Sequence, residues 1–418
     1  VNLRETLVRG AGSAFLVRVL AAGTTFAVHA LLGNLLGHQE YGRFVWVLTF
    51  VSVLVLLAKF GMDTAALKFL PAYRVSGDWP GLRGFVRGST WLTLLVSVGL
   101  AGVVALAIAG VRDRVGPELA IVGWIGCLLL PVYAVASVQN AALQAFRRVF
   151  VAEASQGILR PILLILGVVL GGAYLGQDAP SAALAMASNV AAAATALVVG
   201  MVLVRHTLPR EAITAEPSYR TREWLRVAIP LLLISCAQLV LSHTDILMIG
   251  PMVSAAAVGD YYAATRIATL VSFGLTAVNA IVAPLISDLY RQGDRVRLQR
   301  MITASARAVS LFTLVASVVV VLAGRRILAL FGPDFVEGYT PLVILCAGQV
   351  VNALAGSVGF LLTMTDHQKI AARVIGGCAV LNVALNATLI PILGIIGAAL
   401  ATALTTALWN IILVVQVR

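Results

Sequence analysis

The chain has 418 residues, 60% of them hydrophobic and 11% charged, with a formal net charge of +12. Soluble domains run at ~45–50% apolar and ~25% charged residues, so water alone cannot be the solvent for this sequence. In a soluble protein that charge would suggest nucleic acid; here the placement of Lys and Arg matters more than their sum, and no nucleic-acid partner is expected.

Apolar stretches of roughly 20 residues, the length that crosses a ~30 Å hydrocarbon core, recur from end to end. In chain order the expected spans cover 12–33, 44–67, 89–110, 119–142, 152–175 and 182–204. A charged linker over 205–226, with Pro209 and Pro217, separates these from spans at 227–250, 259–284, 304–324, 340–364, 370–391 and 396–417. The fold class is therefore an all-α integral membrane protein of about 12 transmembrane helices, multi-pass in the cell membrane. With the N-terminus inside, 22 of the 30 Lys and Arg fall in cytoplasmic segments, Arg160 counted among them. Five, Arg43, Arg112, Arg114, Arg325 and Arg326, fall in outer loops. The positive-inside rule produces this alternation, and an even span count puts the N- and C-termini both in the cytoplasm. Arg4 and Arg9 precede the first span as they would a signal peptide, but its length and the lack of a small-residue cleavage site make it part of the mature fold. Cys127, Cys236, Cys346 and Cys378 lie inside expected helices with no CxxC pair, and read as small packing residues.

The two halves match at an offset of 216 to 217 positions. Gly33 and Gly42, then Tyr73, Arg74, Gly77, Asp78, Leu82 and Ser89, correspond to Gly250 and Gly259, then Tyr290, Arg291, Gly293, Asp294, Leu298 and Ser305. Six spans per repeat is an even number, so the repeat is parallel, with its axis along the membrane normal. The expected organisation is an N-terminal lobe at 1–204, the cytoplasmic linker at 205–226 and a C-terminal lobe at 227–418, with a substrate cavity between two six-helix lobes, as in transporters of this design.

Ionisable side chains within a span cost ~2.5–3.5 kcal/mol on insertion scales and face a partner or a water-filled cavity. Arg18, Lys59, Asp63, Asp245 and Arg266 are of this kind. Lys59 and Asp63, four apart, share a helix face and read either as a local ion pair or as functional groups. Asp245 and Arg266 lie at similar depth, about 7 to 11 Å below the outer surface, so a static pair and one that opens during transport are both open. Arg18 has no local partner and is the first candidate for direct substrate contact. Amides recur within spans, at Gln139, Asn189, Asn279, Asn382, Asn386 and Asn410 among others. Most are expected to bond across helices, and Asn279 is the candidate to line a polar cavity. The three lysines follow no glycine, and HExxH, GxSxG and DxD patterns are lacking, so a transporter without an ATPase motif is expected in place of an enzyme.

The stretches LGHQEYGRF (36–44) and FGMDTAALKFL (60–70), followed by 73–78, resemble the amino-terminal half of polysaccharide biosynthesis flippases. These are the Wzx-type proteins of the multidrug, oligosaccharidyl-lipid and polysaccharide exporter superfamily. DILMIG (245–250), VGDYYAATR (258–266), ILALFGPDF (327–335), NVALNATLIP (382–391) and GIIGAA (394–399) are similar to the second half of the same family, and the resemblance runs along nearly the whole chain. Met364-Thr365-Asp366 departs from it, a glycine being expected at the third position. The resemblance implies two lobes of six helices in the bacterial cell (inner) membrane. It also implies movement of a polyprenyl-pyrophosphate-linked oligosaccharide from the cytoplasmic to the outer leaflet, with polysaccharide polymerase and glycosyltransferases as partners besides membrane lipids. A cationic interior suits the pyrophosphate, with Arg18, Lys59, Arg266 and Asn279 as substrate-binding candidates. Asp245 and Asp63 are the candidates to hold a coupling H+ or Na+; no other cofactor is expected. A peptidoglycan-precursor flippase and a cation or drug antiporter of the same superfamily are the alternatives.

Overall fold

The computed structural model describes the backbone of residues 3–176, 179–356, 358–364 and 368–417. It describes their side chains except at 3–16, 18, 233–234, 277, 280–281, 283–284, 287, 360, 363–364, 368–369, 371 and 417. The Arg18 side chain and the expected turn at Thr365-Asp366 thus lie outside the described residues.

Every regular element among the described residues is helical, as apolar surroundings require of an unclosed chain, because each backbone N–H and C=O must find its partner within the segment. The first half comprises α1 (Leu3–Ala58), α2 (Met62–Ser76), α3 (Trp79–Val115), α4 (Pro117–Ala145), α5 (Val149–Ala154), α6 (Arg160–Leu175), α7 (Ala182–Thr207) and α8 (Arg210–Thr214), with a π-turn at Ser155–Leu159 joining α5 to α6. The second comprises α9 (Thr221–Met252), α10 (Ala255–Val271), α11 (Phe273–Arg291), α12 (Arg295–Leu328), α13 (Tyr339–Ala355), α14 (Val358–Met364), α15 (Gln368–Leu393) and α16 (Ile395–Val417). A 3-10 turn, Pro333–Gly338, leads into α13.

Nine helical segments among the described residues are long and apolar enough to cross a membrane, or ten if a bent pair within α9 is one span. Three features separate this from the twelve expected. The first span and much of the second run together in α1, divided only where Gly37 takes a left-handed φ of 71°. The second is then broken again at Phe60 and Gly61, both at positive φ. The eighth is interrupted at Ser272, between α10 and α11.

The residues group into two compact units, Val1–Val28 with Arg43–Cys236, and His29–Gly42 with Ala237–Arg418. In the first, Met62, Phe69, Tyr73, Phe85, Leu143, Phe146 and Trp224 form a common core. The segment expected as a linker is fastened to this core. Trp224 Nε1 donates to the Tyr73 hydroxyl at 2.9 Å, Arg220 pairs with Asp78 at 2.9 Å, and Arg83 donates to the Ala215 carbonyl at 2.5 Å. Gly84 lies against the same segment, and a Cβ there would sit 1.9 Å from the Ser218 carbonyl oxygen. Lipid tails give helices no hydrophobic reason to associate, so small residues that admit close approach take over the packing. Ala182, Ala185, Ala192, Ala193 and Ala196 of α7 are buried accordingly, and Gly167 and Gly171 of α6 face Ser188 and Leu184.

In the second unit the segment 29–42 packs on α10 through Gly42 and Gly259 and on Phe331 through Gly33, while Gly338 brings the 3-10 turn against α10. A Cβ on Gly42 would lie 1.7 Å from the Ala255 carbonyl oxygen, and one on Gly259 2.4 Å from that of His38. His38 and Ala255 are themselves repeat-related, so the contact is reciprocal. The second repeated feature, the Gly-Asp turn, also recurs in structure. Gly77 and Gly293 are left-handed at φ 69° and 74°. The aspartates that follow cap the next helices, Asp78 accepting from Gly81 N and Asp294 from Arg297 N.

Candidate functional site

The break between α1 and α2 brings the first pair of charges together. Two successive left-handed residues, Phe60 and Gly61, end one helix and start the next, and a Cβ on Gly61 would lie 2.5 Å from the Ala228 carbonyl oxygen. Across this break Lys59 Nζ and Asp63 Oδ2 are 2.5 Å apart, so the local ion pair forms. Asp63 Oδ1 is buried and has no hydrogen-bond partner among the described residues.

In the same unit a cation counted at the sequence level as cytoplasmic lies well inside a candidate span. Arg160 follows the π-turn, eleven residues past the start of the segment Val149–Leu175. Its guanidinium sits 4.9 Å from the centroid of the Tyr133 ring, and the Tyr133 hydroxyl donates to Asn189 Oδ1 at 3.1 Å. Arg160 Nε has no hydrogen-bond partner among the described residues. The signal for Arg160 was present in the sequence, since it falls inside the expected span 152–175.

The second unit holds the other groups. Asp245 does not pair with Arg266. Its Oδ2 accepts from the Tyr261 hydroxyl at 2.6 Å and from Thr402 Oγ1 at 3.4 Å, and its Oδ1 from the Ile246 N–H at 2.8 Å. Arg266 instead donates to the Tyr262 hydroxyl, its own neighbour four residues back, and stacks over that ring at 4.6 Å. Adjacent tyrosines on one helix point to different faces, which divides the carboxylate from the cation. Tyr262 in turn packs on His29 and Tyr41, and His29 Nδ1 lies 3.0 Å from the Tyr41 hydroxyl. Arg266 Nε, like that of Arg160, has no hydrogen-bond partner among the described residues.

Asn279 is buried on α11. Of the remaining amides, Asn382 bonds across helices to Thr405 and Asn410 to Asn352, each at 3.0 Å, while Asn386 bonds Asn382 within its own helix. A further pair escaped sequence reasoning. Asp260, 2% exposed, lies 3.6 Å from His38, and nothing local relates residues so far apart in the chain. No group of three or more His, Cys, Asp or Glu that could hold a metal ion occurs among the described residues.

The family model described as "Polysaccharide biosynthesis protein" matches residues 7–290, and that described as "MatE" matches residues 230–388. The "Probable low-salt glycan biosynthesis flippase Agl15" of Haloferax volcanii is 22% identical over 408 residues, 96% of this chain and 81% of that protein. Among solved structures, the lipid II flippase MurJ in an inward closed conformation superposes with a TM-score of 0.75 at 12% identity, over 96% of this chain and 86% of that one. An inward-facing multidrug resistance transporter of the MATE family gives 0.74 at 15% identity, over 96% and 93% of the two chains.

Proposed function

The chain belongs to the polysaccharide biosynthesis protein family, and on that premise we propose that it is a flippase. The substrate proposed is a polyprenyl-pyrophosphate-linked oligosaccharide, an O-antigen or exopolysaccharide unit, moved from the cytoplasmic to the outer leaflet by alternating access. A sugar headgroup cannot cross hydrocarbon unaided, since each unbonded hydroxyl costs several kcal/mol there.

One observation carries the reading. Each unit holds a guanidinium seated on an aromatic ring without a carboxylate partner among the described residues, Arg160 on Tyr133 within a candidate membrane span and Arg266 on Tyr262 in the shorter helix α10. An uncompensated cation at that depth is costly and is kept where an anion visits it. Arg160, Arg266 and Lys59 are proposed to bind the pyrophosphate, with Arg18 and Asn279 as further contacts. Asp245 is the proposed coupling site: the oxygens of Asp245, Tyr261 and Thr402 converge in a buried place that suits H+ or Na+, with Asp63 as the second candidate.

The proposed architecture is twelve spans in two parallel lobes at 1–204 and 227–418, joined at 205–226, with both termini cytoplasmic. The reciprocal contact of Gly42 and Gly259 and the matching Asp78 and Asp294 caps support it. Transport would need no ATPase of its own. The location proposed is the cell membrane, Agl15 being archaeal where the sequence suggested a bacterial inner membrane. Polymerase and glycosyltransferases of the same pathway are the proposed partners.

The test is flipping of a fluorescent polyprenyl-pyrophosphate oligosaccharide in proteoliposomes, with Arg160→Gln and Arg266→Gln beside the wild type. Flipping by the wild type and its loss in either folded variant is the expected result. A wild type that flips nothing but exchanges protons for organic cations would replace this reading with the antiporter.

A further inference from the structure

Within the first unit, α2, α3, α4, α7 and α8 enclose a cavity of about 370 Å³, within the usual size range of small-molecule sites. Most of its wall is apolar, contributed by α2, α3, α4, α7 and α8. Its polar lining consists of Arg83, Arg87, Arg205, Gln139, Ser89 and Thr90, and no carboxylate is among the lining residues. Ser89 and Thr90 turn their hydroxyls back to the carbonyls of Phe85 and Val86. Arg83 is held in place by its hydrogen bond to the Ala215 carbonyl at 2.5 Å, while Arg87 and Arg205 are exposed. Gln139 is 8% exposed, and its Oε1 is buried without a hydrogen-bond partner among the described residues.

Three guanidinium groups with no compensating carboxylate call for an anion, and the planar fork of arginine matches phosphate oxygens bidentately. An unbonded buried carbonyl oxygen calls for a donor, which a hydroxyl supplies. The apolar wall calls for hydrocarbon. We propose that this cavity is a binding site for a phosphorylated amphiphile with a hydroxyl-bearing headgroup, its phosphate on Arg83, Arg87 and Arg205, a headgroup hydroxyl on Gln139 and its chain along the apolar wall. The site lies wholly within one unit and is separate from the arginines assigned to the transported pyrophosphate. Its occupant is a resident anionic lipid of the surrounding membrane.

The test uses the full chain in neutral detergent, titrated with dioctanoyl phosphatidylglycerol, dioctanoyl phosphatidylcholine and inorganic phosphate, and read by native mass spectrometry and thermal unfolding. Phosphatidylglycerol is expected to bind the wild type roughly tenfold more tightly than phosphatidylcholine, and the Arg87→Gln/Arg205→Gln variant to lose ~tenfold or more of that affinity. Gln139→Leu is expected to weaken phosphatidylglycerol and leave inorganic phosphate unaffected. If inorganic phosphate binds the wild type as tightly and is lost in the same double variant, the phosphate site stands and its source is soluble. Equal binding of phosphatidylglycerol to wild type and double variant, or of the two lipids to the wild type, overturns the proposal. Both substituted arginines are exposed, so folding is not at stake, and the paired lysine variant controls for charge alone. The readout is binding, so it stands or falls apart from the flipping assay.

Discussion

At the scale of the residue, the buried carboxylate Asp245 depends on partners that the chain supplies from far away. Tyr261 lies 16 positions off and Thr402 157, on a different helix. Removing the phenol hydroxyl in Tyr261→Phe leaves Oδ2 with the 3.4 Å contact to Thr402, and the loss of a donor to a buried acceptor costs about 1–3 kcal/mol. A lowered thermal midpoint in detergent is the expected outcome. Asp245→Asn behaves differently, because the amide oxygen can still accept from Tyr261. That variant is expected to fold with a midpoint near the wild type's while its flipping no longer responds to an imposed H+ or Na+ gradient; retained gradient dependence would remove Asp245 from the coupling role. Lys59 and Asp63 were legible in the sequence because a spacing of four is a local rule. The partition of Asp245 and Arg266 onto Tyr261 and Tyr262 was not, since it turns on which face of α10 each phenol takes. The pairing of His38 with Asp260 was hidden for the same reason of distance in the chain.

At the scale of the element, glycines decide how closely helices approach. The duplicated Gly42 and Gly259 were visible as a repeat, yet only their packing shows what they do, each lying where a Cβ would strike the carbonyl of the other segment. Gly42→Ala would place a methyl 1.7 Å from the Ala255 oxygen, closer than any real contact, so the segment 29–42 must move off α10. The expected result is a lower thermal midpoint and altered protease accessibility near residue 253, with Gly259→Ala producing the same pattern because the contact is reciprocal. Similar behaviour in Gly99→Ala, whose Cβ would meet nothing within 4 Å, would instead indicate a general intolerance of the fold. Gly61→Ala adds backbone strain to steric overlap. Its φ of 72° costs a residue with a Cβ roughly 1–2 kcal/mol before the clash with Ala228 is counted. The expected consequence is loss of folded protein on size-exclusion chromatography. The helix break there was read in the sequence as a continuous span, because apolar composition does not register two residues of left-handed backbone.

At the scale of the whole molecule, hydropathy and the placement of charge give the expected spans and sides, but neither fixes how many times the chain crosses. Where apolar segments follow one another without a polar loop, as in α1, length alone cannot separate one long helix from two crossings. The repeat supplies an independent constraint. A parallel repeat of six crossings puts equivalent positions on the same side, so the turns after α2 and α11 must share one aqueous face. Ser76 and Gln292 are exposed members of those turns, and Val115 and Val253 are exposed at the opposite ends of their segments. In a background free of the four native cysteines, Ser76→Cys and Gln292→Cys are expected to react with an impermeant maleimide only when the cytoplasmic face is open to it. Val115→Cys and Val253→Cys are expected to react only from outside. Labelling of Ser76→Cys and Gln292→Cys from opposite faces would require an odd number of crossings between them. The two halves would then enter the membrane in opposite directions, the basic residues that cluster in both turns would no longer share the cytoplasmic side, and the parallel two-lobe arrangement would fail with them.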